Sequence, residues 1–155
     1  SDEKLTAYRH ATECKSTEDL LDLAASWTDR YGSIPKAVNS LIEVMRLKLL
    51  ARKCGISRIK QQKNNILMET NMEEPAFRLL RQGLAKHLHG RLVYQSDGIN
   101  KGIIYARGLG VLAADKQLEI LIEWFNMMLS QISSAQETVN NESNIDNKDS
   151  ILVVD

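Results

Sequence analysis

The hydrophobic period of this chain changes from helical to strand-like at Gly55, and that break does most to limit how it can fold. Upstream, apolar residues recur every three to four positions, as on a helix with one buried face. Val38, Leu41, Ile42, Met45 and Leu49, with Arg52, fall near one side of a long helix that Cys54-Gly55 closes. Downstream, Ile56, Arg58 and Lys60 alternate with Ser57 and Ile59, which is the two-residue period of a strand. Lys63-Asn64-Asn65 supplies turn residues and Ile66-Leu67-Met68-Glu69-Thr70 returns, which reads as a hairpin. The expected class is therefore α+β, with an N-terminal helical half packed against short antiparallel β-hairpins and a closing C-terminal helix.

Local signals divide the rest of the chain. Leu5, Tyr8 and Ala11 or Thr12 recur at helical spacing. Ser16 reads as an N-cap, with Glu18 and Asp19 in a first turn where the helix dipole favours carboxylates. Leu20, Leu21, Leu23, Ala24, Trp27 and Tyr31 then form an apolar stripe that stops at Gly32, a residue suited to a helix end. Ser33 or Ile34 is the expected cap of the next helix, with Pro35 as its first residue. Asn71 is placed to cap a short helix through Pro75, Phe77, Leu79 and Leu80 to Gly83. Asp97-Gly98 marks a turn between two further strands, and Asp115 opens a last helix with Leu118, Leu121, Ile122, Phe125, Met128 and Leu129 inward. Helices are predicted over about 4–14, 17–31, 35–54, 72–82 and 115–133, and strands over about 56–61, 66–70, 91–95 and 102–107.

Composition limits the function classes. With 155 residues the chain suits one domain, here 1–133, rather than two. Of the twenty basic and twenty acidic side chains, only one Lys but five acids fall in 134–155, so the first 133 positions are mildly basic. That last stretch, rich in Ser, Asn, Gln and acids, is predicted to be a disordered acidic tail. Cys14 and Cys54 stand alone, as free thiols of a reducing compartment do. No apolar run reaches the roughly 18–20 residues that span a bilayer, and no signal peptide is visible, so no membrane partner is expected and the cytoplasm or an organelle interior is the expected location. The first residue is Ser, not Met, which suggests a fragment or processed product.

Motifs for catalysis are absent. There is no GxxxxGK[ST] loop, GxSxG elbow or HExxH helix. Gly108-Leu109-Gly110 only superficially resembles a phosphate-binding turn, lacking a third glycine and a βαβ unit. His87 and His89 lack the further ligands a structural zinc requires, and Glu73-Glu74 fits a helix start better than acid–base work. No catalytic, cofactor or metal residue is assigned.

Two charged regions carry more information. Arg46, Lys48, Arg52, Lys53, Arg58, Lys60 and Lys63 lie in one segment with no acid among them. Such a patch can neutralise phosphates, meet an acidic protein surface, or simply be solvated charge. It lacks the aromatics that stack on single strands. The preceding helical stretch is acidic, with Glu13, Glu18, Asp19, Asp22 and Asp29 around Trp27 and Tyr31, which share a face. Trp27 is either a docking anchor or the core anchor of the helical half.

The sequence of these segments resembles a known family. Tyr8-Arg9, then Trp27-Thr28-Asp29-Arg30-Tyr31-Gly32-Ser33-Ile34-Pro35, then Leu47-Lys48-Leu49-Leu50-Ala51-Arg52-Lys53-Cys54-Gly55-Ile56 look like the C-terminal (TRCF) domain of bacterial transcription-repair coupling factors, the Mfd family. Ile66-Leu67-Met68-Glu69-Thr70-Asn71-Met72 is similar to the cyanobacterial and plastid versions. The resemblance implies a non-catalytic regulatory domain of an ATP-driven, helicase-type DNA translocase that acts in transcription-coupled nucleotide excision repair. ATP and Mg would belong to the motor domains and not to this segment. It further implies docking on a UvrB-like module of the same polypeptide, which masks the UvrA-binding surface and autoinhibits the translocase. UvrA and RNA polymerase are then indirect partners, and cytoplasm or plastid stroma the location. Asp29, Arg30, Asp22 and Ser26, the last where relatives often carry a carboxylate, are the implied docking residues. The alternative expectation is a DNA-binding accessory domain using Arg46, Lys48, Arg52, Lys53, Arg58 and Lys60.

Overall fold

The computed structural model describes residues 2–132, so the predicted tail over 134–155 lies outside the described residues. Three helices, α1 (Asp2–Glu13), α2 (Thr17–Tyr31) and α3 (Lys36–Lys53), precede strands β1 (Ile56–Gln62) and β2 (Asn65–Thr70). Helix α4 (Glu74–Arg81), a 3-10 turn (Lys86–Arg91), β3 (Leu92–Ser96) and β4 (Gly102–Ala106) follow. A second 3-10 turn (Leu109–Val111) leads into α5, helical over 114–132. The architecture is α+β, as expected from the change of period.

Local chemistry fixes the ends of the helices. Ser16 Oγ accepts the Asp19 amide at 3.1 Å, and Asp19 Oδ2 in turn accepts the Lys15 amide at 3.1 Å. This reciprocal pair satisfies two donors at the start of α2. Gly32 ends α2 at φ 83° and ψ −122°, its N–H bonded to Thr28 O at 2.8 Å. That is the mirror image of a strand conformation rather than the expected left-handed cap, and is more exclusive to glycine. Pro35 is the cap of α3 rather than its first residue, because its ψ of 145° is extended. Likewise Glu73 and not Asn71 precedes α4, which occupies Glu74–Arg81 instead of 72–82.

Two cores share α3. Val38, Ile42 and Leu49 face a small core with Ala7, Leu20 and Trp27. Leu47, Leu50, Ala51 and Cys54 face a larger one. Within α1 the buried pair is Ala7 and Ala11, whereas Leu5 and Tyr8, expected inside, are exposed. Alanine lets α1 approach α3 closely, and the bulky residues turn outward. Leu21 and Tyr31, assigned to the inner stripe of α2, are 69% and 48% exposed.

The four strands form one antiparallel sheet ordered β1-β2-β4-β3, so the last strand in sequence is an inner one. Ile66, Met68, Leu92, Ile104 and Ala106 point from it into the large core, against Phe77 and Leu80 of α4 and Leu121, Phe125 and Met128 of α5. Trp124, one turn after Leu121 and outside the expected inner set, joins them. Leu118 and Leu129, expected inside, are half-buried. Two glycines allow close approach where a side chain could not fit. A Cβ on Gly83 would stand 2.6 Å from Met128 Cα, and one on Gly110 2.5 Å from Lys63 O. Gly110 also donates to Asn64 O and accepts from Gln61 Nε2, which sews the chain before α5 to the β1–β2 hairpin.

Candidate docking surfaces

Helix α2 sorts its residues by face. Leu20 and Trp27, seven apart, point into the small core, and Trp27 is only 8% exposed. Of the two roles open to Trp27, the core anchor is the one observed. Its ring lies 4.8 Å from that of Tyr31, and its indole N–H is buried without a hydrogen-bond partner among the described residues. Glu18, Asp22, Ser26, Asp29 and Arg30 are all exposed. Their spacing of four, four, then three or four places them along one outer stripe of the helix. The structure thus brings Asp22, Ser26, Asp29 and Arg30 together.

Asp29 is in an unfavourable local position. It sits in the last turn of α2, where the partial negative charge of the helix end repels a carboxylate by about 0.3–1 kcal/mol. No ion pair found among the described residues includes it. Arg30 instead lies 5.8 Å from the Tyr31 ring centroid.

The basic residues divide. Arg46 meets Glu43 at 3.8 Å and turns toward the α3–α5 side. Lys48, Arg52 and Arg58 line a groove of about 470 Å³ between α3 and β1. Lys60 lines an adjoining cavity of about 280 Å³. Lys53 faces a different groove, between α2, α3 and α5. Residue spacing indicated the charge of this region. It gave no sign of the groove itself, which depends on β1 being an outer strand.

Features that superficially suggested chemistry have structural roles. His87 and His89 lie in the 3-10 turn, and His89 Nε2 is 2.9 Å from Leu84 O. Gly108 adopts φ 78° and Gly110 packs on the hairpin backbone, which accounts for both glycines. Glu74 pairs with Arg78 at 2.8 Å, and Glu73 accepts the Asn100 amide. Burial pushes the Cys54 thiol up to about 12, and burial with Asp19 and Glu13 nearby raises that of Cys14. Both stay protonated near neutrality, the unreactive form. Among the described residues no helix is long and apolar enough to cross a membrane.

Comparison with known proteins gives this arrangement relatives. Residues 1–77, from α1 into α4, match the TRCF domain. The transcription-repair-coupling factor of Bacillus subtilis (strain 168) is 23% identical over 143 residues, 87% of this chain and 11% of that protein. The chain therefore spans about a tenth of that relative's length. A crystal structure of the C-terminal domain of transcription-repair coupling factor shares the fold, with a TM-score of 0.63 and 21% identity, covering 86% of this chain and 83% of that one. Residues 1–77 thus carry the TRCF domain match, and the chain has the fold of the C-terminal domain of transcription-repair coupling factor.

Proposed function

We propose that this chain is the regulatory domain of a transcription-repair coupling factor and that it docks through the outer stripe of α2 on the UvrB-like module of the same polypeptide. Docking masks the surface that would bind UvrA and holds the DNA translocase autoinhibited, until engagement of RNA polymerase or DNA releases it. The domain contributes no catalytic group; ATP and Mg act in the motor domains. The reading rests above all on Asp29, an exposed carboxylate at the wrong end of its helix with no ion pair among the described residues. A cationic surface facing it would relieve that repulsion. Ser26, one turn earlier, makes this contact less charged than one built on two carboxylates.

Control is then a matter of populations. A domain that covers a binding surface lowers partner affinity by the fraction of time it is closed. Interfaces within one chain are modest and polar, so a partner can displace them. The test is Asp29→Arg, with binding to the purified UvrB-like module measured by calorimetry. We expect at least a tenfold weaker affinity, about 1.4 kcal/mol, with the melting temperature unchanged or slightly raised, since Arg suits the end of the helix. Equal affinity for wild type and variant would sink the assignment.

A second reading, a DNA-binding accessory domain using Arg46, Lys48, Arg52, Lys53, Arg58 and Lys60, is favoured only by the lack of acids in that segment. It requires a mobility shift of duplex DNA that weakens steeply with salt.

A further inference from the structure

The groove beside β1 has a form that the α2 reading does not use. Its lining includes four consecutive residues, Ile56, Ser57, Arg58 and Ile59, and the adjoining cavity takes Ile59, Lys60 and Gln61. The pairing register with β2 shifts between Ile56 and Arg58, which interrupts the alternation at Ser57, and from Arg58 to Gln61 the lining follows the strand along its outer side. β1 is an outer strand, bonded to β2 alone, and its other edge has no backbone partner among the described residues. The opposite wall is α3, through Val44, Leu47, Lys48, Ala51 and Arg52, at the spacing of one helix face.

We propose that this trough receives an extended segment of a partner polypeptide that alternates apolar and acidic side chains, adding it to the sheet as a fifth strand beside β1. Backbone groups along β1 supply the pairing common to strand addition. Val44, Leu47 and Ile59, which line both cavities, give an apolar floor for alternate side chains. Lys48, Arg52, Arg58 and Lys60 set the sign, and no acid lines either cavity. By contrast, a groove of about 760 Å³ between α3 and α5 mixes Lys36 and Arg46 with Glu43, Asp115, Glu119 and Glu123. The cations on β1 also repel a second copy of β1, so the edge is barred to self-pairing yet open to an acidic strand. An apolar floor without aromatics suits a peptide better than nucleotides, which need stacking platforms or phosphate contacts throughout.

The probe is a fluorescein-labelled peptide of about eight residues alternating valine and glutamate, titrated into the full 155-residue chain and followed by anisotropy. Saturable binding is expected, with amide shifts in the NMR spectrum centred on Ile56–Gln62. Lys48→Glu combined with Arg58→Glu, both at exposed positions, weakens it at least about tenfold. Methylating alternate backbone nitrogens of the peptide does the same if its backbone pairs with the strand. Asp29→Arg leaves it within about twofold, which separates this site from the α2 surface. No saturation, equal binding of the methylated peptide, shifts centred away from β1, or displacement of the peptide by a DNA duplex at lower concentration would each overturn the proposal.

Discussion

The two cores on either side of α3 differ in more than size. The large one is closed on the sheet by residues from α3, α4 and α5, with Met68, Leu92, Ile104, Leu109, Phe125 and Met128 almost fully inaccessible. The small one gathers a few residues from three helices and leaves Leu5, Tyr8, Leu21 and Tyr31 outside. Both halves leave apolar residues outside, with Leu79, Val93, Ile99, Val111 and Leu112 on the side of the large core, so the contrast lies in how much each half buries. The region with the smaller core has fewer buried contacts to lose and is easier to open locally.

The two tryptophans let this contrast be tested, since Trp124 reports on the large core and Trp27 on the small one. The largest effect is expected from Phe125→Ala, which should cost about 3–5 kcal/mol in urea unfolding and shift both tryptophan signals. Leu20→Ala should cost about 2–3 kcal/mol on the Trp27 signal, in a Trp124→Phe background, while a Trp27→Phe background shows Trp124 moving by less than about 1 kcal/mol. Equal shifts of both signals would make the halves one cooperative unit and end the comparison.

A smaller effect is expected at the joint between α2 and α3. Gly32→Ala meets no atom within 4 Å, but φ 83° with ψ −122° strains any L side chain, so a loss of about 1–3 kcal/mol is expected by thermal unfolding. Gly90→Ala, also in open space but without a positive φ, serves as the control and should change little. A neutral Gly32→Ala would mean that the joint relaxes freely, and the helical half would be looser than described.

The smallest effect concerns the thiols, one in each half. Burial raises the Cys54 thiol to about 12 from an ordinary value of 9.0. The unfolded chain therefore loses its thiol proton first, so this contribution to stability is intact below pH 9 and disappears as pH rises toward 12. At pH 8, iodoacetamide should label half-buried Cys14 well before buried Cys54, with Cys54 following global unfolding. Labelling of both at one rate would erase the difference between the halves.

How much of this was legible in the sequence depended on range. Ser16 with Asp19, the break at Gly55 and the Asp97-Gly98 turn act on their immediate neighbours, and each appears in the structure at the expected place. Faces were harder. Tyr31 lies one turn after Trp27 and Leu21 is next to Leu20, but the small core has room for only a narrow stripe of α2. Alanine carries little hydrophobic signal, so the role of Ala7 and Ala11 in letting α1 close on α3 was invisible. The pairing of β2 with β4 joins distant segments, and no local pattern encodes it. The trough beside β1 was hidden for the same reason: its charge could be counted, but being at an edge is a property of the whole sheet.

That strand order also has a consequence in time. β2 is complete at Thr70, but the strand that covers its second edge ends at Ala106. At synthesis rates of roughly 5–20 residues per second, the hairpin waits about 2–7 seconds for its neighbour. Through that interval Leu67 and Met68 stand at an unpaired edge, the kind of surface on which chains aggregate. Helices α1 to α3 leave the ribosome earlier and need no later residue for the small core, so the half proposed to dock is the half that can be finished first.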